Sequence, residues 1–468
     1  MQISLIRKNK LERTLRIDSE YYQPKYLAIE KAISRLKNIK PLTDLCRVSD
    51  GNHTSIAEHF NLDEGVPYYR GQDITNFFLD NVTPVYIPRK IYESPIMKRS
   101  HYKSGDVLLS IVGTIGNLSL VTKNIKEATG SCKIAILRPS KIEPEYLATY
   151  LMSKYGNEQI KRNTRGAVQT GLILEDFNQI IVLIASNNFQ NFISKIVRES
   201  VKQNDNSMEA YEYAEQILLS ELELLNWKPK HCLSFVRKLS DTAAAGRIDA
   251  EYFQPKYDVI LGSVKKYSNG FDLVGNLFKQ NRSSFKNKPD ELYRYVEISS
   301  VNTSSGEIEP LLLLGKELPA NAKIKLNGGD LIISKVRTYR GAVAIVQSEG
   351  FVGSGAFTVL EESENINKET AYVFFKSDPV LKLSLKYNAG TSYPVIDDKD
   401  ILNLPCPLIP EKTQRDIKQK ITEMYVAKAL SKRLLEIAKR GVEMAIEKDE
   451  TTAEHWINKE MKKLGLEI

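Results

Sequence analysis

The densest set of groups able to do chemistry is the basic run Ser334-Lys335-Val336-Arg337-Thr338-Tyr339-Arg340-Gly341. Its chemistry is the pairing of anions: lysine and arginine suit phosphate oxygens, and an arginine can fork onto the O6 and N7 of guanine. Alternation along a strand places Lys335 and Arg337 on one face, with Arg340 following beside Tyr339 in the turn. A second kind of loop carries Lys161-Arg162-Asn163-Thr164-Arg165-Gly166 and Gln169 at one place, and Lys386 to Tyr393 at another. Glycine flanked by small polar and basic groups lets backbone approach a phosphate closely. Arg162, Arg165, Gln169 and Tyr393 therefore join the candidates for contact with nucleic acid. The run Ile111 to Asn117 offers Thr114 but no cation, so its contacts must come from elsewhere: Arg70, Gln72, Lys98 and Arg99 are the alternatives.

Other chemistry is poorly provided for. Four cysteines (Cys46, Cys132, Cys232 and Cys406) show no C-x-x-C spacing, and five histidines make no H-E-x-x-H. His231 and Cys232 are adjacent, but neighbours point apart in a strand, so no metal is expected. No G-x-x-x-x-G-K-[ST] loop, no Asn-Pro-Pro-Tyr-like methyl-transfer motif and no nuclease-like acidic cluster occurs. Glu460-Met-Lys462 is a fragment of a nuclease signature in a polar tail and reads as a solvated helix end. No catalytic residue is expected. The 468 residues hold 66 Lys+Arg against 58 Asp+Glu, a net charge of +8. No apolar run approaches the ~20 residues of a membrane span. The basic first residues have no apolar stretch behind them, so a cytoplasmic protein without membrane association is expected.

Positioning these groups falls to a duplicated framework. Arg16-Ile-Asp-Ser-Glu-Tyr-Tyr-Gln-Pro-Lys-Tyr26 recurs as Arg247-Ile-Asp-Ala-Glu-Tyr-Phe-Gln-Pro-Lys-Tyr257, at an offset of 231 (247 − 16). Gly105-Asp-Val-Leu-Leu-Ser110 recurs as Gly329-Asp-Leu-Ile-Ile-Ser334, at an offset of 224 (329 − 105). The second register also relates Gly166 to Gly390, Asp176 to Asp400 and Gln190 to Gln414. A fixed register over such a length is a tandem repeat. The Arg-Ile-Asp segment persists although the loops diverge, which suits a structural or docking role, with Asp18 and Asp249 capping the helices that follow.

Within each repeat, short apolar runs broken by Gly, Pro and Asn predict a β-rich globule with some helix, including helices near Pro144–Met152 and 367–375. Then the pattern changes. From Glu411 apolar residues recur every three or four positions to about Glu447, predicting a helix about 55 Å long. A similar stretch begins near Asn188, with the polar patch Gln203–Ser207 in its middle as an expected kink or frayed point. The apolar stripes, among them Phe192, Ile196, Tyr211, Leu218, Ile417, Ile421, Met424 and Leu434, predict that the two helices pair as a coiled coil. The order globule, helix, globule, helix makes that pair antiparallel, with approximate twofold character that would suit duplex DNA. The expected fold class is α+β. Its segments are a first globule (1–185), a long helix (186–228), a second globule (229–409), a second long helix (410–447) and a tail (448–468).

Taken in order and in duplicate, these features resemble the specificity subunit of Type I restriction–modification enzymes. Asp50-Gly-Asn-His53 and Val66-Pro-Tyr-Tyr-Arg-Gly-Gln-Asp-Ile74 add to the likeness, which covers essentially the whole chain. The resemblance implies two target recognition domains, each reading one half of a bipartite double-stranded DNA target, with the helices setting the unread gap. It implies no catalysis by this chain and no cofactor of its own. Two adenine-N6 methyltransferase subunits would dock on the helices and bring S-adenosylmethionine. A restriction–translocase subunit would bring ATP and magnesium. The second repeat lacks an Asp-Gly-x-His segment, so the two halves should differ in sequence. A charge of only +8 agrees with partners supplying part of the phosphate grip. An orphan subunit acting as regulator or decoy, or a coiled-coil adaptor without a DNA role, are the alternatives.

Overall fold

The computed structural model describes residues 4–9, 11, 16–61, 64–74, 77–79, 84–166, 170–228, 230–388 and 393–467. Helix and sheet are mixed, and no helix among these residues is long and apolar enough to cross a membrane. The chain divides into two compact units: Met1–Asp205 with Ala427–Ile468, and Asn206–Val426. These units cut across the expected boundaries, because each long helix, Asn187–Glu221 and Glu411–Glu447, contributes part of its length to each unit.

In the first unit β1 (Ile39–Pro41) pairs with β9 (Ile181–Leu183). A four-stranded sheet has the order β2 (Cys46–Asp50), β8 (Ile134–Pro139), β5 (Val107–Ser110), β6 (Leu118–Leu120). A three-stranded sheet has the order β4 (Val85–Ile87), β3 (Val66–Tyr69), β7 (Thr129–Gly130). The second unit repeats the plan. β10 (Phe271–Leu273) pairs with β18 (Pro405–Pro407), and β14 (Leu331–Ser334) lies between β15 (Val343–Ile345) and β17 (Phe357–Leu360). β11 (Leu292–Val296) has β12 (Leu311–Leu314) antiparallel on one side and β16 (Phe351–Ser354) parallel on the other, as β3 has β4 and β7. β13 (Ala322–Leu326) is an addition on the far edge of β16.

The repeated motifs prove to be joints. In Gly-Asp-(apolar)₃-Ser the glycine has a positive φ, +89° at Gly105 and +96° at Gly329. The buried aspartate closes that turn, accepting from Lys103 N and from Asn327 N at 2.8 Å each. All four residues of β5 and of β14 are buried, which explains an unbroken apolar run where a half-exposed strand would alternate. In the Arg-Ile-Asp segment, Asp18 accepts from Tyr21 N and Asp249 from Tyr252 N, at 3.1 and 3.0 Å. Arg16 and Arg247 then reach across to the carbonyls of Thr164 and Asn388. Gln190 accepts from Glu143 N and donates to Ala185 O; Gln414 accepts from Asn367 N and donates to Ile409 O. Each glutamine thus ties the start of a long helix to the cap of the short helix behind it, Pro144–Met152 or Lys368–Lys376.

The long helices pair antiparallel within each unit. In the first, Ser200 and Ser431 exchange hydroxyl-to-carbonyl bonds of 2.8 Å, and Lys428 donates to Asn204 at 2.8 Å. In the second, Thr413 donates to Glu221 at 2.9 Å, and the Lys420 ammonium lies 5.3 Å from the Tyr213 ring. The patch at 203–207 is no kink, since the helix runs unbroken through it with Asn204 and Ser207 buried. Asn204 is satisfied inside the pair by Lys428, Gln203 by Glu199 of its own helix and Asp205 by Asn124. The expected polar tail is likewise a packed helix, Glu450–Lys463, burying Ala453, Ile457 and Met461. Glu460 is paired with Arg433 and Lys463, so it is not a solvated end.

Candidate nucleic-acid interface

In the first unit three loops gather around the backbone at 130–134. Ile111, just past β5, donates to Lys133 O at 3.0 Å and accepts from Leu172 N at 2.9 Å. Val112 bridges Gly171, which also pairs with Arg165, so the loop after β5 and the loop before the long helix lie side by side. Thr114 Oγ1 sits 3.0 Å from Ser110 Oγ and donates to Gly71 O at 3.3 Å, which brings in the turn Gly71–Asp73. Gln72 stands exposed on that turn, while the Arg70 guanidinium folds back on buried Asp73 with bonds of 2.9 and 3.0 Å. Arg99 donates to Asp50, and Lys98 beside it is exposed. The Arg165 guanidinium pairs with Asp176 at 2.5 Å and keeps half its side chain in solvent.

The second unit builds its loops the same way. Val336 bridges Val395, the counterpart of the Val112–Gly171 bridge at the offset of 224 (336 − 112 and 395 − 171). Arg337 N donates to Pro394 O at 2.9 Å, and its guanidinium lies 4.8 Å from the ring of exposed Tyr393. Arg340 is exposed and Tyr339 half-buried. The backbone at Arg337 is left-handed, with φ 50° and ψ 45°, a conformation that costs a side chain about 1–2 kcal/mol. At the equivalent position (337 − 224) the first unit has Gly113, with φ +84°.

Strand alternation fails here, because β14 ends at Ser334 and Arg337 is already in the turn. Lys335 does not share a face with it. Its ammonium turns inward to Asp398 at 3.3 Å, where Thr358 also donates. Burial pushes the Asp398 carboxyl up, but bonds from Thr358 and Gln280 and the Lys335 charge outweigh this and hold it below the usual carboxylate range. From beneath, buried Lys376 donates to the carbonyls of Thr303 and Gly341 and so holds the far end of the basic loop. Burial lowers its ammonium to about 8. Lys376 and Asp398 were not among the expected residues; the available signal was a lysine closing the apolar run Ala371–Phe375.

Three expectations change. Arg162 is a buried strut, donating to Tyr21 O at 3.0 Å and pairing with Glu30 at 3.0 Å, with its side chain only 10% exposed. Lys386 does the same work in the second unit, donating to Tyr252 O at 2.7 Å. The helix residues Ile196, Leu218, Ile417, Ile421, Met424 and Leu434 are buried, with Phe192 and Tyr211 partly so. The six buried side chains form the interior of the chain itself and are not exposed to a docking partner, while Phe192 and Tyr211 keep part of their surface open. Gln169 lies outside the described residues.

Residues 36–211 match the family described as the Type I restriction modification DNA specificity domain. The match lies within the first repeat, which is thus similar to a Type I restriction–modification DNA specificity domain. Among solved structures, the specificity domain and the rest of the chain align with a Type I restriction–modification S subunit from M. genitalium. That alignment has 13% identity and TM-score 0.39, over 87% of this chain and 94% of that one. An HsdS subunit from Thermoanaerobacter tengcongensis aligns at 15% identity and TM-score 0.30, over 88% of this chain and 97% of that one. No curated protein sequence matches the chain.

Proposed function

We propose that this chain is the non-catalytic DNA specificity subunit of a Type I restriction–modification complex, in which each unit reads one half of a bipartite duplex target. The observation that carries this is the paired-loop construction. The first unit, which holds the specificity domain, and the second unit each join a loop after the central strand to a loop before the long helix by an equivalent bridge. The framework is kept while the side chains it presents differ: Thr114, Gln72 and Arg99 in one, Arg337, Arg340 and Tyr393 in the other. A shared frame with divergent contacts is what two readers of unlike sequences require.

In this reading the long helices set the unread gap, and two adenine methyltransferase subunits supply S-adenosylmethionine and the methyl transfer. A restriction subunit adds ATP and magnesium chemistry. With the helix stripes buried, docking of two copies of one partner is better supported at Ile17 and Ile248. These equivalent residues of the repeated segment are 89% and 90% exposed beside arginines held in the same clasp.

The test is a genome-wide map of N6-methyladenine with this gene intact and deleted. Loss of one asymmetric, bipartite methylated motif on deletion is the expected result and names both half-sites. An unchanged map would favour an orphan regulator or an adaptor instead.

A further inference from the structure

β2 ends at Asp50, whose side chain is 11% exposed and holds two basic groups at once. His53 Nε2 lies 2.6 Å from Oδ2, and Arg99 Nη2 donates to Oδ1. Both basic side chains stay open to solvent, at 60% for His53 and 57% for Arg99. A carboxylate drawn this far from water needs such donors, and in return it fixes where they point.

The backbone beneath is locked. A Cβ at Gly51 would stand 2.3 Å from the carbonyl oxygens of Gly130 and Ser131, so only glycine allows this approach. Asn52 N donates to Gly130 O at 2.7 Å and Cys132 N to Asn52 O at 2.9 Å. The buried Asn52 side chain accepts from Thr54 N at 3.0 Å, which makes His53 the middle residue of an Asx turn. The second unit has a turn of the same kind. There Ser283 N donates to buried Asn281 at 2.8 Å, and the middle residue is the exposed Arg282. The His53 turn also adjoins the loops already described: Lys133, next after Cys132, packs against Gly71 and accepts from Ile111 N.

We infer that Arg99 and His53, both oriented by Asp50 as a positioning residue, form a base-reading pair in the half-site of the first unit, with the remaining N–H groups of Arg99 donating to the acceptor edge of a guanine and the exposed His53 ring packing beside it. The inference rests on the proposed DNA-specificity function. A guanidinium held on a rigid acid by one of its nitrogens keeps further N–H groups in a fixed fork, which matches the paired O6 and N7 acceptors better than a single phosphate oxygen.

The experiment is a methylation map from hosts carrying His53→Gln, Arg99→Gln or Asp50→Asn in the full chain, in place of the wild type. His53→Gln and Arg99→Gln, both at exposed side chains, should relax one guanine position in one half of the motif, with discrimination there falling about tenfold or more. Arg337→Gly should act on the other half. Asp50→Asn keeps both basic groups and removes a negative charge, so binding to unrelated duplex should hold or rise while the same guanine is relaxed. A purely structural role for Asp50 would lower both. An unaltered motif, uniformly weaker methylation of it, or relaxation in the half that Arg337 reads would each overturn the inference. If deleting the gene removes no motif at all, the parent reading fails and this one with it.

Discussion

A single backbone angle separates framework from reading at the residue scale. The two loops after the central strands both turn through a left-handed residue, and the first unit uses Gly113 there while the second uses Arg337. Keeping an arginine where glycine is strain-free implies that its side chain is wanted, and it lies over Tyr393 at a loop edge. Magnitudes decide the test. Arg337→Ala loses the ring contact, about 0.5–1 kcal/mol at an exposed site, and keeps the strain. Arg337→Gly loses the same contact but releases the strain, so it should be more stable than the alanine variant by about 1 kcal/mol. Both should lose recognition of the same half-site. Denaturant unfolding of the two variants checks this, and an alanine variant as stable as the glycine one would remove strain from the account.

At the scale of elements, ionic joints fasten the helices of the first unit. Lys154 Nζ lies 2.6 Å and Arg440 Nη2 2.9 Å from Glu447, while Glu443 accepts from Lys154 N. Burial pushes the Glu447 carboxyl up, but bonds from Arg440 and Lys154 prevail and hold it at about 2. Its folded value therefore lies below the ordinary 4.5 of the unfolded chain. The stabilisation is present above about 4.5 and is lost as pH falls toward about 2. Wild type should consequently be more stable than Glu447→Gln at pH 7, with the gap closing on acidification. Thermal melts from pH 7 to 3 measure it, and a pH-independent gap would show that Glu447 acts through packing alone.

For the whole molecule, the charge balance sets how tightly DNA can be held without partners. The net charge is a modest +8, and among the candidate contacts Lys335, Arg70, Arg99 and Arg165 each face a carboxylate, which leaves few loop cations free for phosphate. The purified chain alone should bind unrelated duplex weakly, with a slope of log K against log salt of magnitude below about 4. Anisotropy titrations across salt concentrations test this; a slope of about 8 or steeper would mean that the paired cations release their acids and grip phosphate.

The duplication, the long helices and the absence of familiar catalytic motifs were legible in the residues, because periodicity and repetition are properties of order along the chain. The predicted second helix, Glu411–Glu447, coincides with the observed one, since apolar spacing without proline dictates it locally. The side chains lay beyond this reach. Arg162 and Arg165 look alike in sequence, yet one is a buried strut to Tyr21 and Glu30 and the other half-exposed on Asp176. The helix stripes read equally well as docking surface or interior until their partners were in place, and the patch at 203–207 read as a weak point until Lys428 met Asn204. Which acid meets which base, and which loop lies beside which, depends on how separate segments of the chain come together, as when Arg162 reaches Tyr21 and Lys428 reaches Asn204. Such contacts leave no local pattern, and for that reason the tertiary structure alone decided them.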